Sequence, residues 1–295
     1  MNPGDLFLLF WLLISILIAV WVYQDLGKRS PTLNLMKPAW ILICIYTGLF
    51  GLLIYELTCR STKPLIPHST RYSASSYRKA SSSTVQSTAG AATGIIIAAS
   101  LSSILNLPTM IEYLLEYLLA YIFAIFVFHG LYHANTYYSY PNAIKEIILP
   151  ETISINFILA AIFPTNALCF QYIPMADHPT LIRFWFVMQL ATIVGFGIAY
   201  PLIHWLILNN LKPCYIIIQP KRNAYPTPKH MKPIKEIASN SKTNDPTPEA
   251  IYKSKIKTQL IIALLLSFLL LAAGFTLAIY ITPILPHIDL SHFIY

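Results

Sequence analysis

"FWFVMQLATIVGFGIAYPLIHWLIL" (184–208) runs for twenty-five residues without an Asp, Glu, Lys or Arg. As an α-helix it would be about 38 Å long, more than the roughly 30 Å of hydrocarbon in a bilayer. Its apolar residues are continuous rather than alternating, which excludes a strand of a membrane barrel. Six further stretches read the same way: 6–23, 39–57, 90–107, 110–134, 153–172 and 259–281. The whole chain of 295 residues is 56% hydrophobic and 11% charged, where soluble domains carry about a quarter charged residues. Its mean hydropathy is +0.59. The sequence therefore predicts an all-α, polytopic membrane helix bundle of about seven transmembrane helices. It divides into a first helix and loop (1–36), a five-helix core (37–213), a basic, Pro-rich loop (214–257), and a last helix and tail (258–295). The first stretch reads as a span and not a cleaved signal, because its flank "MNPGD" has no Lys or Arg and no small-x-small site follows.

Seven crossings would put the N-terminus on one side with the loops at about 59–89, 135–152 and 209–258. Sixteen of the twenty Lys and Arg fall there and four on the other side. The positive-inside rule then predicts a cytoplasmic N-terminus and an external C-terminus. Two segments on the basic side, the Ser-rich 69–88 and the Pro- and Lys-rich 212–249, read as flexible linkers. They are ordinary positive-inside loops, or contacts for anionic lipid headgroups. The four cysteines, Cys44, Cys59, Cys169 and Cys214, form no CxxC and suggest neither a disulfide framework nor a thiolate metal site.

Several positions within the spans carry chemistry. Gly90, Gly94, Ala98 and Ser102 recur every four residues as a small-residue stripe for close helix packing. Thr109 and Glu112 fit a capping box at the start of the fourth span. Glu116 lies one turn deeper, where an acid is costly and is expected to face the bundle interior or water. His129 and His133, four apart at the other end of that span, share a helix face. They read either as interfacial histidines or as two ligands of a metal site completed by His204 or Glu151. A metal ion is the one cofactor the residues suggest. The fifth and sixth spans hold Pro164 and Pro201 among Asn156, Asn166, Gln189 and Gly197. Interrupted helices of this kind point to a transport path, and they also occur with no substrate nearby. No HExxH, P-loop, dinucleotide fingerprint or hydrolase triad is present, so an enzyme has no positive support.

The stretch 184–213, "FWFVMQLATIVGFGIAYPLIHWLILNNLKP", resembles a bacterial membrane family known as domain-of-unknown-function family 4396, with its Phe-Trp-Phe-x-Met-Gln start, Gly-Phe, Tyr-Pro and late tryptophan. The segments 37–60 and 150–159 are similar to other parts of that family, and the likeness covers roughly 37–213. The resemblance implies cysteines where this chain has Ser87 and Ala91, an Asp where it has Ile95, and an Asn at His204. It implies a membrane fold and an inner-membrane location but no assigned activity. Two functions follow as expectations. One is a small transporter or channel-like protein for a metal cation or proton, with Glu116, Asn156, Asn166, Gln189, Gly197 and Pro201 along its path. The other is a non-enzymatic partner or assembly factor, alone or as a homo-oligomer, holding proteins through its small-residue faces and basic loops. The lipid bilayer is the expected surrounding, and nothing suggests nucleic acid.

Overall fold

The computed structural model describes residues 3–28, 36–59, 75–130, 140–212 and 248–282. These residues are helical, with no strand among them. The helices are α1 (Pro3–Lys28), α2 (Lys37–Thr47), α3 (Leu49–Ile54, continued as a π-turn Tyr55–Cys59), α4 (Ser76–Leu105), α5 (Thr109–Ile122, continued as a π-helix Phe123–Gly130), α6 (Tyr140–Tyr172), α7 (Ile182–Leu208) and α8 (Pro248–Ile281). Six contain an apolar stretch long enough to cross a membrane: α1, α4, α5 with its π-continuation, α6, α7 and α8.

The expected second span is not a single helix long enough to cross. Its run breaks at Gly48, whose φ of 57° and ψ of −125° are open only to glycine. What remains is two helical arms of 11 residues each, Lys37–Thr47 and Leu49–Cys59, each about 16 Å long. The arms fold back on each other. The rings of Trp40 and Tyr55 lie 5.6 Å apart, although fifteen positions of straight helix would separate them by about 22 Å. The tip rests at mid-depth on α1, where a Cβ on Gly48 would lie 2.7 Å from Ser15 Oγ. The base meets the far end of α1, where Tyr55 OH donates to Asp25 Oδ2 at 3.0 Å. Residues 37–59 thus form a re-entrant hairpin that enters and leaves at the same end. Such a hairpin is tolerated because protein, not lipid, surrounds its turn. Gln189 of α7 donates to the Ile45 carbonyl beside the break at 2.7 Å. Gly48→Ala is expected to cost about 1–3 kcal/mol from backbone strain alone, and the displaced Ser15 adds to it. A thermal midpoint equal to that of the wild type would contradict this account of the turn.

The hairpin changes the topology. Six crossings would put Pro3 and Ile281, the outer ends of α1 and α8, at one end of the bundle, where seven would put them at opposite ends. The described contacts agree. Asp5 at the start of α1 pairs with Arg183 at the start of α7, with Nε 2.9 Å from Oδ1. With six crossings, sequence order alone would assign nineteen of the twenty Lys and Arg to the opposite side and Arg183 to this one. The bias of sixteen to four sharpens to nineteen to one, so the positive-inside rule predicts that both termini are external. On a background free of the native cysteines, Gly4→Cys and Asp177→Cys should react with an impermeant thiol reagent from one side of oriented membranes, and Lys145→Cys from the other. Labelling of positions 4 and 177 from opposite sides would restore seven crossings.

Packing separates inner helices from outer ones. Of the apolar windows, 67% of α6 and 61% of α4 are buried, against 11% of α8. α4 is surrounded by α2, α5, α6 and α7, while α6 packs on α7 and α8. Close approach of α4 to α5 rests on Gly90, opposite Ala124, and Gly94, opposite Leu119 and Ala120. Ala98 and Ser102, further along the same helix, are also buried. Pro150 and Pro164 are accommodated within α6, and Pro201 within α7, without breaking either helix. The predicted interruptions of the fifth and sixth spans are absent, and the breaks lie instead at Gly48 and in the π-segments.

α4 also corrects the linker reading of 69–88, whose residues from 75 onward are described. The helix begins at Ser76, and Ala80 through Ala92 are buried almost without a gap. Serine and threonine are small enough for close packing and can return their proton to the carbonyl one turn back. Thr84 donates to the Ala80 carbonyl at 2.8 Å and Ser87 to that of Ser83 at 3.1 Å. A polar sequence is thereby made fit for a protein interior.

Candidate functional site

The buried polar residues gather at two levels. The first is at the basic end, where α4, α6 and the chain just beyond α7 meet. Leu211 N–H bonds the Leu206 carbonyl at 2.8 Å, which turns the chain inward after α7. Lys212 is thereby carried between α4 and α6. Its Nζ lies 2.8 Å from Ser87 Oγ, 2.7 Å from Ser154 Oγ and 2.8 Å from Glu151 Oε2. The side chains of Lys212 and Glu151 are each 1% exposed. Burial pushes the lysine's pKa down, and the Glu151 carboxylate opposes the shift. Sequence reasoning counted Lys212 as a loop charge and missed the cluster. Glu151 was weighed only as a metal ligand, and Ser87 only as the place of a family cysteine.

Around this ion pair the interior stays polar. Gln86 Nε2 donates to the Phe128 carbonyl of the π-helix at 2.9 Å. Its Oε1, with the hydroxyls of Ser82, Ser83 and Thr88, is buried without a hydrogen-bond partner among the described residues.

The second level lies nearer the Asp5 end. Glu116 on α5 is 2% exposed, and its Oε2 has no partner among the described residues. Twelve residues separate Glu116 from Phe128, roughly 18 Å along the axis, so the two levels are distinct. The capping box expected beside Glu116 does not form. Pro108 is the N-cap, no side chain caps the helix, and the Glu112 N–H bonds the Pro108 carbonyl.

The other path residues divide. Gln189 is a clamp between three elements: it accepts from Trp11 Nε1 at 2.7 Å and donates to Ser15 Oγ and the Ile45 carbonyl. Asn156 ties α6 to α8 and α5, donating to Ser267 Oγ at 3.0 Å and accepting from Tyr117 OH at 3.3 Å. Asn166 is buried near Met188, with Oδ1 unpartnered among the described residues. Gly197 and Pro201 face outward and line no interior space. His204 stacks on Tyr200 with ring centroids 6.0 Å apart. His133 and the His129 side chain lie outside the described residues, and among those described no three His, Cys, Asp or Glu gather as a metal site.

Six apolar crossings, a re-entrant hairpin and a buried polar interior define a multi-pass α-helical membrane protein. Residues 76–212 match the model of the family described as domain of unknown function (DUF4396). The match opens on the first residue of α4 and ends on Lys212, so it contains both polar levels. The hairpin, likened to the family from its sequence, lies outside it. No curated protein and no solved structure matches the chain.

Proposed function

We propose that this protein is a small transporter or channel-like protein that moves a cation, a proton or a metal ion, across a bacterial inner membrane. The observation that carries the reading is Glu116, an acid buried inside the bundle with one oxygen unpartnered among the described residues. Intramembrane acids are costly and mark ion and proton pathways. The re-entrant hairpin supports the same reading, since broken helices at membrane depth are a feature of transporter binding sites. The partner reading has lost its main feature, because α5 and its π-continuation already cover Gly90 and Gly94.

Reconstituted into vesicles with an imposed gradient, the protein should pass protons or metal ions, and Glu116→Gln should reduce that flux to background. Equal flux in the variant would remove the acid from the path, and no flux of either kind in the wild type would remove the reading. Metal content of the purified protein beside His129→Ala/His133→Ala decides whether the cation is a metal held by those histidines.

A further inference from the structure

The second arm of the hairpin touches α7 near its tip, where the rings of Phe50 and Phe196 lie 5.6 Å apart. From that contact toward the basic end, a cleft of about 460 Å³ opens between Ile54 and Leu57 of the arm, Tyr77 and Ser81 of α4, and Phe196 and Tyr200 of α7. Ile54, Ser81 and Phe196 are buried in its floor, while Leu57 and Tyr77 are exposed at its rim. One wall is a ladder of flat rings. Phe196 stacks on Tyr200 at 6.2 Å and Tyr200 on His204 at 6.0 Å. Eight residues of α7 carry this ladder about 12 Å, from mid-helix toward the basic end.

The basic end of the cleft holds a guanidinium. Arg78 Nε donates to Tyr77 OH at 3.2 Å, and the guanidinium carbon lies 5.9 Å from the centroid of the Tyr77 ring. Arginine at this place suits a phosphate, whose oxygens its planar fork matches. No acidic side chain lines the cleft. The occupant must therefore be apolar at mid-depth and anionic at the bilayer surface. Half of the hydrocarbon layer is about 15 Å thick, so an acyl chain whose headgroup sits beside Arg78 reaches Phe196. A partner helix does not fit: one turn, about 5.4 Å long and 10–12 Å across, already fills the volume.

We propose that this cleft is a selective site for an anionic glycerophospholipid of the leaflet at the basic end. One acyl chain lies along Phe196 and Tyr200, and the phosphate rests on Arg78. The positive-inside rule places that leaflet in the cytoplasm, where anionic lipids meet juxtamembrane basic groups. One arginine near such a surface supports a preference of about fivefold over a zwitterionic lipid. The cleft lies on the outside of the bundle, so binding there stands whether or not Glu116 carries flux.

The test uses the full chain in nanodiscs of mixed phosphatidylcholine and phosphatidylglycerol. A trace of either lipid carries a diazirine on its acyl chain, and crosslinked residues are mapped by peptide mass spectrometry. Leu265 and Leu269, exposed on α8, report contact with bulk lipid. The ratio of phosphatidylglycerol to phosphatidylcholine crosslinks at Leu57, Phe196 and Tyr200 should be about fivefold higher than at Leu265 and Leu269. Arg78→Ala should bring the cleft down to the α8 ratio. Equal ratios at the two places in the wild type would overturn the proposal, and so would a cleft that neither lipid labels. A preference that persists in Arg78→Ala would remove the guanidinium as the selective group and overturn it too. Flux plays no part in the readout, so failure here is separable from failure of the transport reading.

Discussion

Lys212→Met is expected to destabilise the protein by about 3–5 kcal/mol, because it takes the ammonium away from a buried carboxylate and two buried serine hydroxyls. Glu151→Leu should cost a similar amount, because it strands the ammonium beside two serine hydroxyls. The double variant Lys212→Met/Glu151→Leu removes both charges and should recover most of the loss. Buried ion pairs replaced by apolar groups of similar size are often neutral or even stabilising. The coupling between the two positions is then several kcal/mol and of opposite sign to the single effects. Denaturation midpoints of the four proteins in one detergent close the cycle. Additive losses would mean that Lys212 and Glu151 do not act as a pair. The serines set a smaller scale: Ser87→Ala removes one neutral acceptor and should cost about 1–3 kcal/mol.

The pair was hidden in the sequence for a physical reason. Lys212 follows "LNNL" at the end of an apolar run and precedes a long basic segment, so its charge looks like a loop charge. Only the inward turn after α7 reveals that it returns to the interior. Ser81 to Thr88 were misread for the same kind of reason. Hydropathy scores a hydroxyl as if it must face water, while a helix lets it bond its own backbone. The apolar spans were legible because their length is a direct consequence of bilayer thickness. The count failed at one residue. Nothing in the hydropathy of 39–57 separates a crossing from a hairpin, and the left-handed φ of Gly48 makes the difference. A signal was present in the charges. Lys28, Arg29 and Lys37 stood on the expected external side against the positive-inside rule, and folding the second span back returns all three to the basic side. Pro164 and Pro201 misled in the other direction, since neighbouring groups can absorb a lost backbone bond in a membrane helix. Gly274 of α8 comes so close to the Ala160 carbonyl, which Pro164 cannot bond, that a Cβ there would lie 2.5 Å from its oxygen.

Gly94→Leu should have an equally large effect, by sterics rather than charge. A Cβ at Gly94 would meet the backbone of Leu119 and Ala120, and at Gly90 the backbone of Ala124. Backbone cannot rotate away as a side-chain tip can, so α4 and α5 must separate. Overpacking in a protein core costs roughly 1–3 kcal/mol, and more where nothing can yield. A leucine against main chain belongs in the upper part of that range. Separation would also loosen the Gln86 bond to Phe128 and shift Ser87 away from Lys212, because both lie on the same helix about two turns from Gly94. The loss should therefore exceed that of an isolated packing defect, and the yield of monodisperse protein should fall sharply. Gly197→Leu is the matched control. Gly197 faces outward with nothing within 4 Å of an added Cβ, so the same substitution there should leave yield and midpoint near those of the wild type. If Gly94→Leu proved as stable as Gly197→Leu, α4 and α5 would not be in backbone contact. The central position of α4, on which both polar levels depend, would then be wrong.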